Sequence, residues 1–503
     1  MTSETALTSL ERFSTGIEGL DRVLDGGFFA GGVYLVEGVP GAGKTILANQ
    51  VCFHHVRSGG GRALYVTLLA ESHARLLQHL QPMAFFDGEI IPERLTYVSG
   101  FRTLESEGLK GLIELIRKEM RAQRASVVVL YGFAAVGDSA ESDREFKKLV
   151  HELQVHAVLA RCTFFLLSSG VSQVVHPVHT MVDGLVRLTD RVVGRRVDRD
   201  LNVHKFRGSG YLRGVHAFTI TNAGIHVYPR IESLASPDQG PRSDDRLSFN
   251  IPRFDSMLGG GLPSESSTML LGPSGVGKSS MGYKFLEGST SECPGLAVSF
   301  YETEARALFK ARSLGIDLEG PLTRGDLEFG WHRPTEISLD TLADQILRAV
   351  TRRRVRRLFI DGFNALLVAS ASPERVPQFF SALAEELRAR GVTTLYTAEL
   401  HEIFSPRIAP PAEGISPLLE NLIVMRFVEV EATVRRLVSV LKMRASAFDP
   451  TLRELTLSSD GIAILDSFTH SEAVLKGSPR SANKRESAKK AGHKRKPEAR
   501  RRR

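Results

Sequence analysis

Two Gly-rich runs in this 503-residue chain carry the residue types that grip phosphate, and they lie 234 residues apart. The first is Gly38-Val39-Pro40-Gly41-Ala42-Gly43-Lys44-Thr45, and the second is Gly272-Pro273-Ser274-Gly275-Val276-Gly277-Lys278-Ser279. Both fit G-x-x-x-x-G-K-[ST], in which glycines let backbone N–H groups curl around phosphate oxygens. Lys44 and Lys278 would reach the β- and γ-phosphates, and the Thr45 and Ser279 hydroxyls would ligate Mg²⁺. Each run follows an apolar stretch (33–37 and 268–271) and precedes a helix-like one, as the motif requires. The predicted chemistry is binding of a nucleoside triphosphate with its metal, twice in one chain.

The elements that must position these loops are themselves repeated. Arg12-Phe13-Ser14-Thr15-Gly16 answers Arg246-Leu247-Ser248-Phe249-Asn250, and Leu24-Asp25-Gly26-Gly27 answers Leu258-Gly259-Gly260-Gly261. Val129-Leu130-Tyr131-Gly132-Phe133 matches Phe359-Ile360-Asp361-Gly362-Phe363, and Lys205-Phe206-Arg207-Gly208 matches Lys442-Met443-Arg444-Ala445. Apolar strand-like runs alternate with helix-length segments such as 106–123 and 339–353. That alternation predicts α/β layers around a largely parallel sheet, with ligands at the carboxyl ends of the strands. The expected organisation is a domain over 1–232, a Ser/Pro/Asp/Arg-rich linker over 233–245, a second domain over 246–470, and a disordered basic tail over 471–503.

Bulk properties narrow the classes. Apolar residues make up 42% of the chain, enough for two full cores. The net charge of +8 belongs to the end of the chain: residues 476–503 hold 13 Lys/Arg and 2 Asp/Glu, which leaves the rest mildly acidic. Cys52, Cys162 and Cys293 form no C-x-x-C pair, which argues for a reducing compartment and against a disulfide framework or a zinc site. The first residues lack an apolar core of signal-peptide type, and no run approaches a membrane span. A cytoplasmic location is expected.

Asp361 ends the apolar run 358–360, where a carboxylate can anchor the metal's water shell. The matching residue of the first copy is Tyr131, and a phenol with a reference pKa of ~10 cannot replace a carboxylate there at neutral pH. Lys442 and Arg444 alternate with apolar residues and so share one face of a strand.

The order of P-loop, glutamate strand, Asp-ended strand and K-x-R strand resembles the RecA-fold ATPases and, more closely, the KaiC family of double-domain ATPases. Ser14-Thr15-Gly16, Val182-Asp183-Gly184, Gly194-Arg195-Arg196, His216-Ala217-Phe218, Gly224–Pro229 and Arg453-Glu454 carry the resemblance together with the blocks above, over about residues 10–470. It implies two tandem RecA-like P-loop domains, Mg²⁺ and ATP as ligands, and a homo-hexamer with ATP bound between subunits. It places a general base at Glu302, on an expected strand 296–301. It also gives Lys442 and Arg444, and Lys205 and Arg207, the task of reaching a neighbouring subunit's γ-phosphate.

This chain departs from the family pattern in ways that matter. The family's glutamate pair reads Glu302-Thr303 in the second copy, and Ala70-Glu71 or Leu69-Ala70 in the first. The first copy is therefore expected to bind ATP but hydrolyse it slowly; the alternative is that Glu71 and a displaced acid restore activity. The family's Ser-Thr phospho-acceptor pair reads Ser416-Pro417, so Ser416 is the candidate acceptor for serine autophosphorylation, in a loop stiffened by Ser405-Pro406, Pro410 and Pro411.

The basic tail fits non-specific polyanion binding, and its lack of aromatic residues argues against base readout. His54-His55 and the pair His176/His179 lack acidic or cysteine company at ligand spacing and are expected to be surface or packing histidines. The functional expectation is an oligomeric signalling or timing switch with unknown partner proteins. Its rivals are a DNA-stimulated recombination ATPase and a non-catalytic ATP-gated scaffold.

Overall fold

The computed structural model describes residues 11–170, 177–234, 244–400, 414–430, 432–444 and 446–467. Most of the expected linker, the basic tail, Ser405-Pro406, Pro410, Pro411 and His176 lie outside the described residues. The chain divides into two compact units, the first ending at Leu234.

In the first unit nine strands form one sheet: β1 (Val33–Gly38), β2 (Arg62–Thr67), β3 (Leu95–Ser99), β4 (Ala125–Tyr131), β5 (Thr163–Ser169), β6 (Gly184–Val193), β7 (Arg196–Phe206), β8 (Val215–Thr221) and β9 (Gly224–Tyr228). Their spatial order is β9-β8-β7-β6-β1-β5-β4-β2-β3. The six strands from β6 to β3 are parallel, and the last three add antiparallel meanders. Val33–Gly38 is buried at every position, as expected of a parallel strand covered on both faces.

The second unit repeats the plan with β10 (Ser267–Gly272), β11 (Gly295–Ser299), β12 (Leu327–Trp331), β13 (Arg357–Asp361), β14 (Thr393–Glu399), β15 (Asn421–Val430), β16 (Thr433–Met443), β17 (Arg453–Ser458) and β18 (Gly461–Ser467). Here the order is β12-β11-β13-β14-β10-β15-β16-β17-β18. Each P-loop thus leaves the end of a central strand, where α/β sheets bind ligands. These are two tandem RecA-like domains.

The repeated sequence blocks have a structural cause. Arg12 Nη1 donates to the carbonyls of Leu24 and Gly27 at 2.6 and 3.1 Å; Arg246 Nη1 does the same to Leu258 and Gly261 at 2.8 and 3.1 Å. Asp21 accepts from the Thr15 backbone N–H at 2.8 Å, as Asp255 accepts from that of Phe249 at 2.8 Å. Asp183 and Glu420 each accept from the first residues of a central strand, Val33 and Ser267, at 2.9 Å. These side chains brace the entry to each P-loop strand.

Candidate nucleotide sites

Backbone conformation fixes the phosphate loops. Gly41 and Gly43, like Gly275 and Gly277, have φ between 77° and 110°, the left-handed region that glycine enters without steric cost. At Gly277 a Cβ would also stand 2.9 Å from Leu457 Cδ1. Helices Lys44–Arg57 and Lys278–Glu287 start directly behind these glycines, so their free N–H groups and dipoles face the loop. Lys278 Nζ donates to the carbonyls of Gly272 and Pro273, both at 2.7 Å, and Lys44 Nζ to those of Gly38 and Val39 at 2.6 and 2.9 Å. Burial lowers both lysine pKa values; in the second unit Glu399 and Asp361 oppose that shift.

Beside the second loop lies a cavity of about 570 Å³ whose lining includes Lys278, Ser279, Glu302, Lys310, Asp361 and Glu399. Asp361 is buried at the end of β13 and accepts from Thr397 Oγ1 at 2.6 Å. The Thr397 oxygen accepts the Gly362 N–H at 2.8 Å, which leaves its proton directed at the carboxylate. The Ser279 hydroxyl belongs to the same lining. Burial raises the Asp361 pKa above the ordinary carboxylate value, and the two hydroxyls pull it back.

Glu302 does not lie on a strand, as the sequence suggested. The strand stops at Ser299, and Glu302 stands in the turn before helix Glu304–Ser313. Its N–H caps that strand end by donating to Ser299 Oγ at 3.1 Å. One carboxylate oxygen accepts from the Tyr283 hydroxyl at 2.6 Å and the other from Lys310 Nζ at 3.0 Å. Burial and the neighbouring carboxylates keep Tyr283 protonated far above neutral pH.

The first unit places different chemistry at the same register. Asp361 pairs with Ser299 and Thr397, and Tyr131 pairs with Thr67 and Leu167. Three residues beyond Ser299 is Glu302; three beyond Thr67 is Ala70, which resolves the alternative alignments in favour of Ala70-Glu71. Gly272 pairs with Glu399, while Gly38 pairs with Ser169. The Tyr131 hydroxyl donates to Glu71 Oε2 at 3.4 Å, and the Thr45 side chain stands near enough to pull its pKa down a little. Burial and Glu71 both raise its pKa, so the phenol stays protonated at neutral pH.

The K-x-R residues make matching contacts in the two units. Lys205 Nζ donates to the carbonyls of His179 and Thr180 at 3.0 and 2.9 Å, and Arg207 Nη2 to that of Thr180 at 2.9 Å. Lys442 Nζ donates to the carbonyls of Ser416 and Leu419 at 3.1 and 2.6 Å, and Arg444 to that of Pro417. Lys442 and Arg444 do not line the P-loop cavity of their own chain. Ser416 is exposed, on the turn that these two cations hold.

The reading of His179 needs correction. Its Nε2 lies 2.5 Å from Oε1 of Glu37, a buried carboxylate whose other oxygen accepts from Arg187 at 3.0 Å. The sequence hid this acidic company because Glu37 is 142 residues away and meets His179 only through the fold. His55 is a packing histidine, buried and bonded to Ser126 Oγ at 2.8 Å. Among the described residues no group of three or more His, Cys, Asp and Glu is arranged to hold a metal, and no helix is long and apolar enough to cross a membrane. Sequence reasoning missed Thr397, Tyr283, Lys310 and Glu399; the one usable signal was that Thr397 stands two residues before Glu399, the polar end of its strand.

Comparison with known proteins follows this geometry. The sequence matches the family described as ATPase: KaiC over residues 13–232 and again over 247–468. It is 28% identical over 494 residues to the circadian clock oscillator protein KaiC of Picosynechococcus sp., covering 94% of this chain and 93% of that one. The protein of the same name from Rippkaea orientalis is 27% identical over 491 residues, covering 95% and 93%. That from Synechococcus elongatus is 26% identical over 485 residues, covering 94% and 92%.

Proposed function

The chain belongs to the KaiC family of ATPases, and from that premise we propose that its second unit hydrolyses Mg-ATP while its first holds ATP with little turnover. The observation that carries this reading is the pair of registers: Asp361 with Thr397 beside one P-loop, Tyr131 with Leu167 beside the other.

Ser279 and Asp361 fit Mg²⁺. A hydroxyl and one carboxylate are hard oxygen ligands, and Mg²⁺ takes one or two carboxylates with substrate phosphates and keeps its remaining waters. When bound there, the ion would supply positive charge that offsets the charge of the phosphates. Glu302 accepts the proton of the attacking water as its oxygen bonds to the γ-phosphorus and the bond to the bridging oxygen breaks, leaving ADP. Tyr283 and Lys310 hold both oxygens of that base in place. Lys278 stays on the β- and γ-phosphates.

Lys442 and Arg444 are not part of the lining of their own cavity, and in this reading they serve the γ-phosphate of an adjacent copy in a homo-hexamer. Lys205 and Arg207 do the same between first units, where bound ATP holds the ring together. Ser416, exposed on the turn gripped by Lys442 and Arg444, is the acceptor for autophosphorylation. The output is a switch in signalling or timing, in line with the oscillator role in the relatives' names.

Steady-state ATP hydrolysis with phosphoprotein mapping tests the reading. Wild type is expected to turn over ATP and to carry phosphate on Ser416; Glu302→Gln is expected to lose both. Unchanged turnover in Glu302→Gln would remove the base assignment, and phosphate elsewhere would remove Ser416.

A further inference from the structure

The two phosphate ends differ in charge as well as in one residue. In the second unit Glu302, Asp361 and Glu399 all line the cavity beside Lys278. A fully ionised triphosphate entering alone would meet three carboxylates, of which Lys310 pairs only Glu302, and a divalent cation relieves the remaining repulsion. At the equivalent places of the first unit stand Ala70, Tyr131 and Ser169, all uncharged at neutral pH. The Asp361 support is gone too, since Leu167 has no polar atom with which to orient an acid.

Thr45 adds to the difference. Its hydroxyl is the atom expected to face the metal, and beside it at the strand end stands the protonated Tyr131, where the second unit has Asp361 beside Ser279. A neutral phenol donates to phosphate oxygen readily, whereas a carboxylate is the stronger acceptor for metal-bound water and adds the charge that holds the ion. The acid nearby, Glu71, accepts from the same phenol at 3.4 Å, a long bond that a phosphate oxygen would replace. The backbone cradle, the helix N-terminus and Lys44 remain intact for phosphate. These residues do not fit the divalent ion that the family implies.

We infer that the first unit binds ATP without a divalent cation, with the Tyr131 hydroxyl donating to the phosphates where the second unit holds its metal. This rests on the reading that the first unit binds ATP at all. It makes the assembly carry one metal-dependent and one metal-independent nucleotide per chain, so depletion of Mg²⁺ empties the second unit and leaves the first loaded.

Equilibrium dialysis with radiolabelled ATP on the full chain tests this, in excess Mg²⁺ and in excess EDTA. Wild type is expected to bind two nucleotides per chain with Mg²⁺ and one with EDTA. Lys278→Ala is expected to keep a site whose Kd changes by less than about threefold between the two conditions, while the site left in Lys44→Ala weakens by about tenfold or more in EDTA. In the Lys278→Ala background, Tyr131→Asp with Leu167→Thr should install the metal requirement, weakening binding in EDTA by about tenfold or more. Loss of both nucleotides from wild type in EDTA would overturn the inference and leave the first unit an ordinary Mg-ATP site. Two nucleotides retained in EDTA would overturn it as well, because the units would not differ. Failure of Lys278→Ala to bind ATP in either condition would overturn the functional reading with it. Metal-independent binding that persists in the doubly substituted unit would remove Tyr131 from the explanation.

Discussion

Thr397 donates a 2.6 Å hydrogen bond to Asp361 from the neighbouring strand, and its own oxygen is already committed to the Gly362 N–H. The threonine therefore cannot turn its proton elsewhere without breaking a buried bond. It fixes which face of the carboxylate is free for the metal's water shell. Thr397→Val removes the proton and keeps the shape. The expected result is an Mg²⁺ requirement for ATP hydrolysis raised by about 10–100-fold, with folding unchanged by circular dichroism. An unaltered Mg²⁺ titration would mean that Thr397 is packing only.

Asp361 also sets a pH-dependent cost. Its pKa in the folded chain lies above the ordinary value of 3.8, so the unfolded chain ionises first as pH rises. The folded state loses stability relative to the unfolded state as pH climbs through that window, and the loss stays constant above it. Asp361→Asn is expected to melt higher than wild type at neutral pH without nucleotide, with the difference vanishing below the ordinary carboxylate range. Thermal melts across pH check this; a variant that melts lower at neutral pH contradicts it.

Glu302 is held by two donors of different kinds. Glu302→Gln should reduce turnover by about 10²–10⁴-fold, the scale of a lost general base. Tyr283→Phe and Lys310→Met leave the base present but unheld. Each should lower kcat more than it changes KM. An unchanged kcat in both would assign these residues to packing.

Lys442 and Arg444 grip the turn 416–419 and stay out of their own cavity. If they act on a neighbour, Lys442→Ala subunits mixed with Glu302→Gln subunits should recover activity that neither has alone. Turnover of the mixture equal to the sum of the two variants would contradict action between subunits.

The Glu37–Arg187 pair stands at the register where the second unit pairs Leu271 with Val424. Glu37 is buried and bonded to both Arg187 and His179. Glu37→Leu alone leaves those groups without their carboxylate and should destabilise the unit by about 3 kcal/mol. Glu37→Leu with Arg187→Val reproduces the apolar pair and should recover much of that loss. Denaturant unfolding of both variants decides; a double variant no better than the single one contradicts the pairing.

Much of this molecule was legible because its information is local. A P-loop is eight consecutive residues, and the strand and helix around it announce themselves by apolar runs and glycines. Tandem repetition then doubled every signal, and Tyr131 stood out because Asp361 occupies the matching block. What escaped was set by strand adjacency. Thr397 lies 36 residues from Asp361 and meets it only because their strands pair in register. Tyr283 is on the helix behind the P-loop, where its spacing looks like ordinary core. Its hydroxyl reaches Glu302 because the chain turns immediately after Ser299. Glu37 falls inside an apolar stretch of the sequence, and only the fold shows that it sits beside Arg187 and His179. The choice between Ala70-Glu71 and Leu69-Ala70 likewise needed the pairing of Thr67 with Tyr131.

The division of labour between the two units is tested most directly by steady-state ATP hydrolysis of wild type, Lys44→Ala and Lys278→Ala in parallel, with assembly followed by light scattering. The account predicts that Lys278→Ala abolishes turnover while remaining assembled, and that Lys44→Ala impairs assembly far more than the turnover per assembled chain. Loss of most hydrolysis in assembled Lys44→Ala, with Lys278→Ala still active, would contradict it and make the first unit the principal ATPase despite Tyr131.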